Sequence, residues 1–201
     1  MVRKAFFRLE IMIIYLHGFR SAPASSKARA LAARMADLGL ADRFWCEQLS
    51  HEPARAIAQI EAAIESAATK PTLVGSSLGG FYATWLAERH DLRAVLINPA
   101  VFEEGFDAGP FIGEHENLYT GERFHFGHEH VAQIESLRVP TLEKPARFWL
   151  LAEEDDEVLD TRIAVARFKG AKQTVLAGGD HSFTRWDDYI DPVIRFAGLM
   201  S

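Results

Sequence analysis

Cysteine is almost missing: Cys46 is the only one in 201 residues. It has no partner for an internal disulfide, so a reducing compartment, the cytoplasm, is expected. Long apolar runs are missing too. Ile11 to Leu16 falls far short of the ~18 apolar residues that a membrane helix needs. Arg8 and Glu10 precede that run, and no small-residue cleavage site follows before His17, so a signal peptide is not expected either. Positive charge is in deficit, with 22 Lys and Arg against 28 Asp and Glu and a net charge of -6. That balance opposes a surface that tracks phosphates, and no nucleic-acid partner is expected. Repeats, low-complexity tracts and a C-terminal lipidation motif are all lacking. What remains is 48% hydrophobic and 25% charged, the balance of a globular enzyme, on a length that suits one domain with a core needing no staples.

Short apolar runs alternate with helical patterns. Ile11 to Leu16, Phe44 to Leu49, Thr72 to Val74, Ala94 to Ile97, Arg147 to Leu151 and Gln173 to Leu176 read as strands. A helix capped by Ser25 or Ser26 runs to near Gly39. Another opens at Pro53, with Ile57, Ile60 and Ile64 on one stripe. Others carry Phe81, Trp85 and Leu86, then Arg162 to Phe168, then Trp186 to Leu199. Strands apolar on both faces, alternating with helices, predict an α/β fold: a mostly parallel sheet of about six strands flanked by helices. Residues 100–140 break the alternation. They are too long for a plain connection but rich in Phe, so residues 101–140 are expected to form a lid-like insertion over the sheet edge within a single domain.

Chemistry enters at Gly75-Ser76-Ser77-Leu78-Gly79, a G-x-S-x-G pattern between a strand and a helix. A serine on so sharp a turn needs small residues two places away on each side. Ser77 has Gly75 and Gly79 there, whereas Ser76 has Val74 and Leu78, so Ser77 is the candidate nucleophile. A hydroxyl needs a base, and the base an orienting acid, in the chain order Ser, acid, His. His181, in a glycine-rich loop after the last strand, is the candidate base. The acid is expected in the carboxylate run Glu153 to Glu157 after the preceding strand. Asp156 is preferred because Val158 can pack back and anchor the turn; Asp155 is its rival. The remaining carboxylates of the run are expected to face water. Two N–H groups should hold a developing oxyanion: that of Leu78, after the nucleophile, and that of Phe19, after the early strand, where Gly18 permits close approach. His17 reads as a residue that fixes this loop rather than as a base.

His125, His128 and His130 are close in sequence, but His130 would leave the helical face shared by the other two, and no EF-hand spacing is present. No metal and no cofactor is expected. Asp at the elbow would point to dehalogenase or epoxide chemistry; Ser77 does not.

Taken together, Met12 to Phe19, Gly75 to Gly80, Asn98-Pro99-Ala100, Asp156 to Asp160 and Gly178 to Phe183 resemble the small bacterial YqiA/YcfP-type esterases of the α/β-hydrolase superfamily. The resemblance spans Met12 to Leu199. It implies an acyl-ester or thioester hydrolase with Ser77, Asp156 and His181 as its triad, and it favours Asp156 over Asp155. Family members tend to start at the first strand, which makes Met1 to Ile11 an upstream start or an added segment. Two departures from the resemblance are this extension and the turn before the acid. Glu153-Glu154-Asp155 stands where the family looks to have a shorter, glycine-containing turn. The sequence shows no clear basic patch for the phosphates of an acyl-CoA; Arg20, Lys27 and Arg29 are no more than candidates. The reading is therefore hydrolysis of small acyl esters through an acyl-enzyme on Ser77. An acyl-CoA thioesterase with the same triad, or a non-catalytic binding module on the same scaffold, are the alternatives.

Overall fold

A computed structural model describes residues 13–200; the expectation for Met1 to Ile11 falls outside them, as do the first two residues of the expected first strand. Six parallel strands form one sheet in the order β2-β1-β3-β4-β7-β8. They are β1 (Ile13–Leu16), β2 (Phe44–Trp45), β3 (Thr72–Ser76), β4 (Arg93–Ile97), β7 (Phe148–Glu153) and β8 (Lys172–Leu176). The helices are α1 (Ser26–Asp37), α2 (Pro53–Ser66), α3 (Leu78–His90), α4 (His128–Ser136), α5 (Thr161–Arg167) and α6 (Trp186–Phe196). No helix among the described residues is long and apolar enough to cross a membrane.

The two faces of the sheet explain the strand sequences. Successive side chains of a strand point to opposite faces. Ile14, Leu16, Leu73, Leu96 and Leu150 pack with α2, α3 and α5 on one side. Ile13, Tyr15, Val74, Val95 and Leu151 pack with α1 and α6 on the other. Both faces are dry, so the strands are apolar throughout instead of alternating. Each such buried aliphatic side chain contributes on the order of 1.5–3 kcal/mol.

The structure departs from expectation in two places. Only Phe44 and Trp45 of the expected Phe44 to Leu49 strand pair with β1. Beyond them the chain turns toward the loop after β1: the Leu49 N–H donates to His17 Nε2 at 3.0 Å, and the Gln48 amide donates to the Ser21 carbonyl at 3.1 Å. Side-chain bonds replace the ladder there. The second departure is the 101–140 segment. It holds an antiparallel hairpin, β5 (Gly113–Glu116) with β6 (Arg123–Phe126), followed by α4. Instead of following a sheet edge, it lies over the carboxyl ends of the central strands, with Phe124, Phe126, Ile134 and Leu137 joining the α2–α3 side of the core.

Candidate active site

The turn between β3 and α3 is tight enough to dictate its sequence. Ser77 has φ 54° and ψ -120°, a backbone conformation that side chains other than glycine rarely adopt. It is held there from both ends. Its N–H donates to the Ile97 carbonyl at 3.0 Å, and its own carbonyl accepts from the N–H groups of Gly80, Phe81 and Ala100. A Cβ on Gly75 would stand 2.3 Å from the Gly79 carbonyl oxygen, and one on Gly80 would stand 2.7 Å from Pro99 Cβ. The glycines on either side of Ser77 thus touch one another, as the motif requires.

Across the carboxyl end of the sheet, His181 Nε2 lies 3.1 Å from Ser77 Oγ. Its Nδ1 lies 2.8 and 3.0 Å from the two Asp156 oxygens. A carboxylate can only accept there, so Nδ1 carries the proton and Nε2 is left to accept from the serine. The Asp156 side chain is 2% exposed and that of His181 is 23% exposed. Burial pushes the Asp156 carboxyl up, but bonds from His181 and from the N–H groups of Leu159 and Val158 outweigh this and hold it below the ordinary range. Those N–H groups, at 2.8 and 2.9 Å, are what fix the turn. The expected packing of Val158 does not occur, since that side chain is 56% exposed. Asp155 is exposed and touches the His181 loop only through its backbone N–H, on the Gly178 carbonyl.

The expectation that the other carboxylates of this run face water fails at Glu153, which is wholly buried at the end of β7. Its Oε2 accepts from the N–H groups of Asp180 and Thr184, both at 2.9 Å. Its Oε1 accepts from the Thr184 hydroxyl and from Arg185 Nε, again at 2.9 Å. A Cβ on Gly179 would collide with this carboxylate at 1.9 Å, which explains the glycine. Burial pushes Glu153 up, but the Thr184 and Asp180 N–H groups, Arg185 and the Thr184 hydroxyl together bring it down to about 2. Because the folded value lies below the unfolded one of ~4.3, its stabilisation is full above that pH and fades as pH falls through the window toward 2. A Glu153→Gln chain should therefore lose less melting temperature than the wild type between about pH 4.5 and 2; equal slopes in calorimetry would contradict this.

Phe19 and Leu78, expected to offer oxyanion donors, both border the space beside Ser77. Leu78 opens α3, where an N–H has no acceptor within the helix. The Phe19 N–H has no acceptor among the described residues. Gly18 lies close against the nucleophile turn: a Cβ there would stand 3.1 Å from Ser77 Cβ and 3.3 Å from the Ser76 carbonyl oxygen. His17 is buried, and burial lowers its pKa against a weaker opposing pull from the Gly18 carbonyl. It fixes the loop by accepting the Leu49 N–H, as expected. The β5–β6 hairpin clamps the same loop. The Leu118 N–H donates to the Arg20 carbonyl at 2.9 Å and the Asn117 amide to the Ser21 carbonyl at 2.8 Å. The Phe19 ring meets those of Phe124 and Phe126 edge-on at 5.6 and 5.3 Å. Neither the clamp nor Asn117 was foreseen from sequence, because the contacts join segments about 96 residues apart.

A cavity of about 70 Å³ opens at Ser77, walled by Phe19, Phe102, Phe106, Phe111 and Phe126. Glu103, Glu135 and Arg138 stand on its rim. No metal-binding group of His, Cys, Asp or Glu occurs among the described residues. His125 is on β6, not on a helix with His128, and sits 2.8 Å from Glu114. His130 is buried and accepts the Gly127 N–H at 2.9 Å.

Solved structures share this architecture. Est1E from Butyrivibrio proteoclasticus, in a structure with ferulic acid bound, aligns over 92% of this chain and 87% of its own with a TM-score of 0.66 and 15% identity. Mouse alpha/beta hydrolase domain-containing protein 10 aligns over 92% and 89%, with a TM-score of 0.68 and 18% identity. Monoacylglycerol lipase from Paleococcus ferrophilus aligns over 94% and 95%, with a TM-score of 0.69 and 13% identity. At such identities the likeness establishes the α/β-hydrolase fold. A family profile described as Uncharacterised protein family (UPF0227) matches residues 12–198. The chain therefore belongs to UPF0227, the YqiA/YcfP-type family, and has the α/β-hydrolase fold.

Proposed function

We propose that the protein hydrolyses carboxylic esters through an acyl-enzyme on Ser77. The observation that carries this reading is the continuous contact from Asp156 to His181 to Ser77, with 2.8 Å at Nδ1 and 3.1 Å at Nε2. His181 Nε2 takes the serine proton as Oγ attacks the ester carbonyl. Asp156 keeps the imidazole in the required tautomer and stabilises it once charged. The N–H groups of Leu78 and Phe19 receive the oxyanion. His181 then gives its proton to the departing alcohol, and a water molecule, deprotonated by the same nitrogen, releases the acid and restores the serine. The chemistry asks for no cofactor. The Phe-lined cavity takes the apolar acyl portion, with residues 101–140 as its cap. The sharing of the fold with a protein named a monoacylglycerol lipase agrees with this reading. The lone half-buried Cys46 thiol suits a cytoplasmic setting.

Among the described residues the cavity is lined by Glu103, Glu135 and one cation, Arg138, while Arg20 and Lys27 are turned to the Glu116 and Ser182 carbonyls. Esters with neutral alcohols are therefore the favoured substrates over acyl-CoA thioesters. The test is direct. A fluorophosphonate probe should add one adduct per chain, mapped to Ser77, and labelling should abolish turnover of short-chain nitrophenyl esters. Folded protein that neither takes the label nor turns over esters would leave the binding-module alternative instead. Faster turnover of an acyl-CoA than of the matched ester would overturn the choice of leaving group.

A further inference from the structure

His181 sits on a loop without regular structure, yet its imidazole must be presented to Ser77 within a fraction of an ångström. The segment from Gly178 to Arg185 has no sheet ladder; the Phe183 N–H reaches the Asp180 carbonyl and the Asp155 N–H the Gly178 carbonyl, while side chains hold much of the rest, Glu157 Oε2 taking the His181 N–H at 3.0 Å. Glu153 supplies the largest share. Its carboxylate accepts from Asp180 on one side of His181, and from Thr184 and Arg185 on the other. Asn98, at the end of β4, completes the grip. Its amide donates to the carbonyls of Asp180 and His181 at 2.9 and 3.2 Å, while its Oδ1 accepts the Glu153 N–H at 3.0 Å. The Glu153 carboxylate bonds neither the His181 imidazole, nor Ser77, nor the Asp156 carboxylate, so it takes no part in moving the proton. A buried carboxylate is costly to desolvate, and this one is retained where every donor it meets belongs to the loop that carries the base.

Resting on the hydrolase reading above, we propose that Glu153 is a positioning residue for His181: it fixes the backbone on both sides of the base and so sets the contact of Nε2 with Ser77. Alanine at this position removes the acceptor for Asp180, Thr184 and Arg185, leaving the loop held near His181 only by Asn98 and Glu157, while the Phe-lined cavity stays intact. The expected signature is a kcat about 100-fold lower with KM within about twofold, since a displacement near 1 Å costs about that factor in rate. Glu153→Gln should recover most of the loss, because an amide oxygen in the place of Oε2 still accepts from Asp180 and Thr184. Its NH₂ then faces the Thr184 hydroxyl, which can accept; the Arg185 side chain turns to solvent, and its backbone N–H loses only a long bond of 3.3 Å. Glu153→Asp keeps the charge but is one methylene short, and should be slower than Glu153→Gln.

The decisive measurement is the same substitution in a His181→Ala background, assayed on an activated nitrophenyl ester. If Glu153 acts through His181, Glu153→Ala changes the residual rate there by less than about twofold. A full loss of rate in that background would make the role merely structural and overturn the proposal. So would a folded Glu153→Ala chain with unchanged kcat. If Glu153→Ala does not fold, the order of the other two variants decides: Gln above Asp supports the proposal, and Asp equal to or above Gln overturns it. A wild-type chain that neither takes the fluorophosphonate label nor turns over esters overturns the hydrolase reading and this inference with it. An active wild type indifferent to position 153 overturns the inference alone.

Discussion

Alanine at Ser77 should lower kcat on a nitrophenyl ester by about six orders of magnitude, and alanine at His181 should cost about as much. The two groups form one unit. In the proposed reaction the hydroxyl is a weak nucleophile until Nε2, 3.1 Å away, removes its proton, and the imidazole has nothing to activate once Oγ is gone. Ser77→Ala with His181→Ala should therefore be no slower than either alone, with the residual catalysis supplied by substrate binding and the N–H groups of Phe19 and Leu78. Asp156→Asn should cost about 10⁴. Its NH₂ group would confront Nδ1–H, driving the imidazole to the tautomer whose Nε2 already holds a proton. Asp155→Asn should stay within about twofold, since its side chain is exposed and only its backbone N–H meets the His181 loop. A folded Ser77→Ala chain that keeps a tenth of the activity would remove Oγ from the chemistry. A large loss at Asp155 with none at Asp156 would reassign the acid.

How much of this was legible beforehand follows from how local each cause is. The elbow could be read because the crowding between Gly75 and Gly79 lies within five residues and admits few solutions. The strands could be read because both sheet faces are covered, which makes their sequences continuously apolar. His181 could be read because a glycine pair loosens the chain beyond a strand. Glu153 could not. Whether a carboxylate in a run of five is solvated or buried depends on donors 27 to 32 residues further on, and nothing in the run itself marks the first member. Val158 misled for a related reason: the turn is held by its N–H, which every residue but proline has, and not by its side chain. The end of β2 was overrun because Cys46 to Leu49 has the composition of a strand, while His17 and Ser21 divert its backbone and side-chain hydrogen bonds elsewhere. The hairpin in the 101–140 segment announced itself only as an excess of phenylalanine. Its role as a clamp on the Phe19 loop needed the contact with Asn117.

Gly79→Ala is where fold and candidate chemistry should fail together. A Cβ at this position would stand 2.0 Å from the Leu16 carbonyl oxygen, 2.6 Å from the Leu16 carbonyl carbon and 2.8 Å from the His17 oxygen. All three are backbone atoms, so no side chain can swing aside to make room. The first turn of α3 and the end of β1 must separate, although β1 is paired on both sides, with β2 and β3. Overpacking a core that can relax costs about 1–3 kcal/mol, and here relaxation requires moving a buried strand paired on both edges, so ~3 kcal/mol or more is expected. For a chain of this length that corresponds to a melting temperature lower by roughly 6–12 °C. Gly39 supplies the contrast. It has φ +71° with nothing within 4 Å of a built Cβ, so Gly39→Ala meets only backbone strain, about 1–2 kcal/mol. If crowding governs, the variant at position 79 melts well below the one at 39; the reverse order, or a Gly79→Ala chain within about 2 °C of wild type, contradicts the packing described. The same displacement reaches the reaction. Leu16 leads into Gly18 and Phe19, and Gly79 follows Leu78, so widening this contact would draw the two proposed oxyanion donors apart. At temperatures where Gly79→Ala is still folded, kcat should therefore fall by about 10² or more, the cost of losing one such donor, while the Ser77–His181 pair stays intact.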